Sequence, residues 1–429
     1  MIGWALGIIT SVYVLLSFLM WYLTPVYRAD RKAAVVVLGD IGHSPRMCFH
    51  TLSIAKVGCP VDLIGYVRSD IMPELNENPL IRIRALPEPV KRGNMPYIMY
   101  AFRRALKEHI SLYRLLKKSN PTVVLVQNPP SIPTLGVARL ITLFTFPGSK
   151  LLIDWHNLGY SILAMSQKGL AVRLYRAYEM IFGRIAYLHL CVSVRLGMAL
   201  KTGFAINPKK VMPLYDRPYK QYKISGSKRV EQRKRLGFGD VDAPWIVTST
   251  SYTPDEDLTL LLDALEDYSG PKLVCVITGK GPMKDDFLKD VEKRTIPNAK
   301  IVTAWLPYED YHTLLAVCDL GISFHKSSSG FDLPMKIVDM FGACLPVLAM
   351  SYQAIGELVN ENNGITFKDK KELLDGLEIL EDTWKLAELK KGATLESQLT
   401  WDALWAEKVG PVFGYGEYTG EESSSSDSD

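Results

Sequence analysis

The sequence predicts an α/β protein of two doubly wound domains carried behind a single N-terminal membrane helix. Three observations predict it: a charge-free apolar run at the start, a series of short β-branched runs alternating with helical periods, and a polar break near the middle of the chain. The 429 residues are 48% hydrophobic and 22% charged, which excludes a disordered, collagen-like or multi-span protein. At roughly 150 residues per domain the length suits two domains. Lys and Arg total 50 against 46 Asp and Glu, and a net charge of +4 is too small to argue for a nucleic-acid partner. The cysteines (Cys48, Cys59, Cys191, Cys275, Cys318, Cys344) include no Cys-x-x-Cys pair. Neither a zinc site nor a disulfide framework is expected, and a reducing compartment is the natural reading.

The anchor comes first. Residues 1–27 carry no charge, and the run from Ile2 to Leu23 is long enough to cross ~30 Å of hydrocarbon as a helix. Trp4 stands near one end and Trp21, Tyr22 and Tyr27 near the other, where amphipathic rings suit the headgroup layer. The flank Thr24-Pro25-Val26-Tyr27 offers no small-x-small cleavage site, so the span reads as retained rather than as a signal peptide. Arg28, Arg31 and Lys32 follow at once, which places the remainder of the chain in the cytosol by the positive-inside rule. The nearest approach to a glycosylation sequon, Asn120-Pro121-Thr122, is disqualified by its proline.

Beyond the anchor, Ala33–Leu38 is a short β-branched run that stops at Gly39, as a buried parallel strand does. Comparable runs recur at Val61–Tyr66, Val123–Val126, Leu151–Ile153, Leu188–Val192, Ile246–Thr248, Leu273–Thr278, Lys300–Val302, Leu320–Phe324 and Val347–Met350. Helical periods lie between them at Met95–Lys118, Leu170–Phe182, Leu258–Tyr268 and Tyr308–Val317. The stretch Ile206–Gly226, rich in Pro, Lys and Tyr, marks the break. Residues 28–215 and 216–412 are therefore expected to form two Rossmann-like domains facing a cleft at the carboxyl ends of their strands, with 413–429 a disordered tail. Arg82–Lys118 holds ten Lys or Arg against two Glu, interleaved with aromatics. It reads either as a surface for anionic headgroups or a lipid-linked phosphate, or as a solvated helix face.

Three loops hold residues of the right chemistry. After the first strand, Gly39 and Gly42 allow a tight turn whose amides can meet a ligand, and Ser44 and Arg46 follow at a helix start where Arg46 can pair with phosphate. Asp40 and His43 are suitable general bases; a plain turn capped by Ser44 is the bland alternative. Asp154-Trp155-His156-Asn157 follows a strand directly, so His156 could hold a sugar hydroxyl or phosphate, or be a structural histidine. The third loop, Ser327 to Asp332, enters a helix at Pro334 with Lys336 and Asp339 three apart on one face. A cation there suits a diphosphate and an acid one turn on suits a ribose diol, against the alternative of a surface helix. Asp255-Glu256-Asp257 reads as a helix start, and no Asp-x-Asp pair stands in a plausible metal position.

Pro-x-Lys-x-x-Asp followed by Gly-Ala-Cys-Leu-Pro-Val resembles the donor-nucleotide motif of GT-B glycosyltransferases. Together with Gly-Asp-Ile-Gly-His-Ser-Pro-Arg, Asp-Trp-His-Asn, Ser-Tyr-Thr-Pro-Asp-Glu-Asp and Ser-Ser-Ser-Gly-Phe-Asp-Leu-Pro-Met-Lys, it resembles the chitobiosyldiphosphodolichol β-mannosyltransferase family from about Ala33 to Val412. The resemblance implies a GT-B fold and an inverting enzyme that transfers the first β1,4-linked mannose from GDP-mannose to dolichol-diphosphate-linked chitobiose. It implies the cytosolic face of the endoplasmic reticulum, an early step of N-glycan assembly, a complex with other dolichol-pathway mannosyltransferases, and no bound metal or cofactor. By position, Asp339 would hold the donor ribose and Lys336 the diphosphate, with Gly330 and Asp332 near the mannose, Ser329 and His325 also on the donor side, and Lys280 or Lys326 a supporting cation. Gly39, Gly42, Ser44 and Arg46 would face the acceptor, and Asp40, His43 and His156 would supply the catalytic groups. Related retaining enzymes carry two Glu eight residues apart; here the acids are Asp332 and Asp339, and the loop Ser249–Asp257 lacks the Arg and Lys those enzymes place there. Two other readings are a catalytically silent GT-B scaffold subunit and a lipid-linked GT-B transferase with another donor.

Overall fold

The computed structural model describes residues 31–89, 92–253 and 256–414. The expected membrane helix and the expected disordered tail lie outside them. Among the described residues no helix is long and apolar enough to cross a membrane. The chain divides into two compact units, one taking residues up to Val192, Leu196–Leu214 and the segment from Trp405, the other Ser193–Arg195 and Tyr215–Leu404.

The first unit is built on β1 (Ala33–Asp40), β2 (Val61–Tyr66), β3 (Ile81–Ala85), β4 (Val123–Asn128), β5 (Lys150–Trp155), β6 (Leu188–Cys191) and β7 (Val211–Pro213). They form one sheet in the order β3-β2-β1-β4-β5-β6-β7, with every pairing parallel. The apolar runs explain this: Val35, Val36, Leu63, Ile64, Val124 and Leu125 are fully buried, as strands covered on both faces must be. Strand order reverses between β1 and β4, the position at which doubly wound sheets open a crevice at their carboxyl ends.

The second unit repeats the plan with β8 (Trp245–Thr250), β9 (Leu273–Gly279), β10 (Ala299–Ala304), β11 (Leu320–Ser323), β12 (Val347–Met350) and β13 (Gly364–Phe367), ordered β10-β9-β8-β11-β12-β13 and again all parallel. Its switch point lies between β8 and β11. Apolar layers cover both faces, one centred on Trp245, Ile337 and Phe341, the other on Ile246, Leu261 and Ile277.

Three strands escaped the pattern reading. β3, Ile-Arg-Ile-Arg-Ala, is an edge strand with only Arg84 buried, so its alternation is half charged. β7 is three residues long and sits inside the stretch read as a polar break. β13 is also a short edge. The domain expectation needs one correction. The expected second domain ran to 412, but residues from Trp405 belong with the first unit, because Trp405 and Phe413 are buried there as a stacked pair.

Candidate active site

In the first unit the loops after β1 and β5 differ from the expectation. β1 continues through Gly39 to Asp40, so Gly39 is a strand residue. Gly42 is needed for close approach: a Cβ there would collide with the Asp70 carbonyl and Ser69 hydroxyl, so its free face is taken by the protein and not by a ligand. Ser44 stands at the N-cap of the helix Pro45–Lys56, but its hydroxyl makes no capping bond and donates instead to the Asp40 carbonyl at 2.9 Å.

Arg46 requires the largest correction. It is 1% exposed, and its Nε and Nη2 each donate to the Asp154 carboxylate at 2.8 Å while Nη1 donates to the Leu214 carbonyl at 3.0 Å. A guanidinium buried to 1% exposure and paired in this way is closed to an acceptor phosphate. Burial alone would raise the Asp154 pKa, but the Arg46 charge, with His156, outweighs it and holds the carboxyl well below the usual carboxylate range. Asp154 also faces Nε2 of the fully buried His50 at 3.2 Å and Nε2 of His156 at 2.8 Å. His156 alone of this cluster reaches solvent, at 25% of its side chain.

Asp40 and His43 come together. The Asp40 carboxylate accepts from the Ser69 hydroxyl at 2.6 Å and from the Arg68 amide at 3.0 Å, and it lies 3.2 Å from Nδ1 of His43. Its slight burial works upward, but the Ser69 and Arg68 donors lower its pKa. A carboxylate bound in this way is a weaker base than the sequence suggested, and a good orienter. His43 itself is 75% exposed. An imidazole with one nitrogen held by a carboxylate and the other open is the arrangement of an oriented general base.

In the second unit the helix Met335–Gly342 begins one residue later than expected, with Pro334 at its N-cap. Lys336 forms an ion pair with Glu256, a residue whose sequence context suggests a helix start. The helix instead begins at Thr259, and Glu256 turns inward, accepting from the Thr250 hydroxyl at 2.8 Å and the Ser251 amide at 2.7 Å. Its backbone bridges His325. The glycines of Gly279-Lys280-Gly281 let that loop pass directly against the carbonyls of Thr250 and Ser251, at positions where any Cβ would collide, with Gly279 at φ +148°. Lys280 lies over the Trp305 ring at 4.3 Å, and Lys326 is 3.6 Å from Asp257.

The loop after β11 is held by its own hydroxyls. The Ser327 hydroxyl donates to Asp332 and accepts from the Gly330 amide, the Ser329 hydroxyl accepts from the Phe331 amide, and Gly330 takes φ +79°. His325 Nε2 lies 2.8 Å from the Asp332 carboxylate. Burial pushes the Asp332 pKa up, but His325 and the Ser327 hydroxyl prevail and leave it lowered. Asp339 has the opposite fate: burial, reinforced by the neighbouring Asp216 charge, pushes it up to about 7. Among the described residues no group of three His, Cys, Asp or Glu side chains is placed to hold a metal.

The family model described as "Glycosyl transferases group 1" matches residues 230–394, inside the second unit. A relative from Yarrowia lipolytica named chitobiosyldiphosphodolichol beta-mannosyltransferase is 42% identical over 407 residues, covering 91% of this chain and 88% of that protein. The chain belongs to the chitobiosyldiphosphodolichol beta-mannosyltransferase family. A Homo sapiens member is 34% identical over 437 residues, covering 90% and 93%. Family membership thus extends over both sheets, beyond the segment that the family model matches. Among solved structures, a sucrose-phosphate synthase from Thermosynechococcus elongatus superposes with a TM-score of 0.69 at 14% identity, covering 90% of this chain and 98% of that one. The Anabaena protein HepE in complex with UDP and glucose gives 0.67 at 17%, covering 89% and 99%. At such identities these two likenesses establish the GT-B fold alone.

Glu256, Asp154, His50, Asp216 and Trp405 were not singled out from the sequence. Glu256 and Asp154 lie inside motifs already quoted, so the signal was there. His50, Asp216 and Trp405 carry no local signal.

Proposed function

We propose that this protein transfers a mannosyl group with inversion from GDP-mannose to the terminal N-acetylglucosamine of dolichol-diphosphate-linked chitobiose, an early step of N-glycan precursor assembly. The observation that carries this reading is the 42% identity to a transferase so named, spread over nine-tenths of the chain. The side chains suit the roles. Asp339 accepts hydrogen bonds from a ribose diol. Lys336 and the N-terminus of its helix meet the diphosphate, so charge on departing GDP is stabilised by groups already in place. The Asp332–His325 pair takes the mannose hydroxyls. His43 Nε2, oriented through Nδ1 by Asp40, removes the acceptor hydroxyl proton as that oxygen bonds to the anomeric carbon and the bond to GDP breaks with its electron pair. His156 binds a sugar hydroxyl.

The charge-free run Ile2–Leu23 followed by Arg28, Arg31 and Lys32 supports a single span with both units cytosolic, and the acceptor's dolichol chain calls for an endoplasmic reticulum membrane setting. Association with other mannosyltransferases of the same assembly line belongs to this reading. The test uses the full chain in detergent with a chitobiosyl diphosphate on a short lipid, GDP-mannose or UDP-N-acetylglucosamine as donor, and EDTA throughout. A product heavier by one hexose, formed only from GDP-mannose and removed by β-mannosidase, is expected. A folded sample that binds nucleotide yet makes no product from GDP-mannose overturns the reading.

A further inference from the structure

Trp405 lies on the helix Trp401–Lys408, more than a hundred positions along the chain from every first-unit loop described above, yet it ends in the same cluster. It is 1% exposed, and its indole Nε1 donates to Nδ1 of His50 at 2.9 Å. An indole nitrogen can only donate, so His50 Nδ1 is the bare ring nitrogen and the proton stands on Nε2. That N–H points to Asp154 Oδ2 at 3.2 Å. Burial, acting against the pull of Asp154, lowers the His50 pKa and keeps this ring neutral. Asp154 is ionised and can only accept, so the same oxygen, 2.8 Å from His156 Nε2, requires the proton of His156 on Nε2 as well.

We propose that Nδ1 of His156 is the atom that meets substrate, that its ligand is a sugar hydroxyl, and that Trp405, His50 and Asp154 are positioning residues that set the tautomer and tilt of that ring. In its neutral form this ring, with the proton held on Nε2 by Asp154, presents Nδ1 as an acceptor. A sugar hydroxyl can donate to it, whereas an ionised phosphate oxygen cannot. The same logic governs metal-ligating histidines whose second ring nitrogen is fixed by a carboxylate, where loss of the outer partner costs ~10–100-fold in affinity or activity. The inference rests on the proposed mannosyl transfer, in which His156 touches a sugar.

The experiment measures transfer by the full chain in detergent for Trp405→Phe, His156→Ala and the double variant. Phe keeps the ring stacked on Phe413 and removes only the N–H. The single Trp405→Phe change should lower kcat ~10-fold with KM for GDP-mannose unchanged, and add nothing in the His156→Ala background. Losses that multiply would make Trp405 merely structural and overturn the positioning role while leaving the His156 reading intact. Full activity of His156→Ala would instead sink that reading. The atom is tested separately: Asn places its amide near Nδ1 and Gln near Nε2, so His156→Asn should outperform His156→Gln, and the reverse order overturns the assignment. If Trp405→Phe fails to fold, His50→Gln, which keeps a donor toward Asp154, should retain the activity that His50→Ala loses; equal loss in both overturns the relay.

Discussion

The two units place charge after their strands in opposite ways. In the first, Arg46 and Asp154 are sealed in, satisfied by each other and by backbone, and only His43 and His156 look outward. In the second, Lys336 and Asp332 keep part of their side chains accessible, each with one ionic or imidazole partner, and Asp339 carries a raised pKa beside Asp216. A buried, mutually satisfied pair fixes geometry but binds nothing. A partly exposed charge keeps a face open to solvent, where a ligand can reach it. The difference separates a buried frame behind His156 from charges that stay partly in solvent.

The comparison breaks most readily at Arg46. Arg46→Ala leaves Asp154 buried without its counter-ion, which costs ~3–5 kcal/mol, and thermal unfolding should show a large fall in Tm or no folded protein. A stable variant with only a raised acceptor KM would return Arg46 to the phosphate. His43→Ala should cost ~10²–10⁴-fold in kcat with Tm unchanged, since the ring is exposed; retention of kcat would remove it as the base. Lys336→Met should lower kcat/KM for GDP-mannose by about 10²-fold, and an unchanged value would make its pair with Glu256 purely structural.

The smallest effect is a pH dependence. Asp339 has its folded pKa raised to about 7 from an unfolded value of ~4. The folded state therefore holds the proton more tightly, and stability from this group is complete below ~4 and is lost as pH rises through about 7. A ribose diol prefers the ionised carboxylate, so GDP-mannose affinity should weaken up to about tenfold from pH 8 to pH 6, while Asp339→Asn should show a flat profile. Titration calorimetry with GDP-mannose, whose diphosphate does not titrate in that range, reads the difference directly.

Most of the loop proposed to meet the donor was legible in the sequence because its residues are neighbours along the chain. Ser327 to Asp339 spans one loop and one helix, and local spacing alone aligns Lys336 with Asp339. The acceptor-side reading failed at Arg46 and weakened at Asp40 for a physical reason: spacing shows that a charge follows a strand, but not whether another charge will be buried against it. Asp154 lies 108 positions from Arg46, and no periodicity connects them. The edge strands β3 and β7 were missed because a strand with one covered side need not be apolar.

By itself the sequence determined the α/β class, the places of most strands along the chain, the break near the middle and the residue types after each strand, since hydrophobic period and turn chemistry act locally. Only the tertiary structure decided which of those charges face water. It sealed Arg46 behind Asp154, turned Glu256 inward onto Lys336, and carried Trp405 back to His50 across 355 positions. Burial and ion pairing depend on contacts between distant segments, and those contacts are set by the packing of both sheets rather than by any stretch of chain alone.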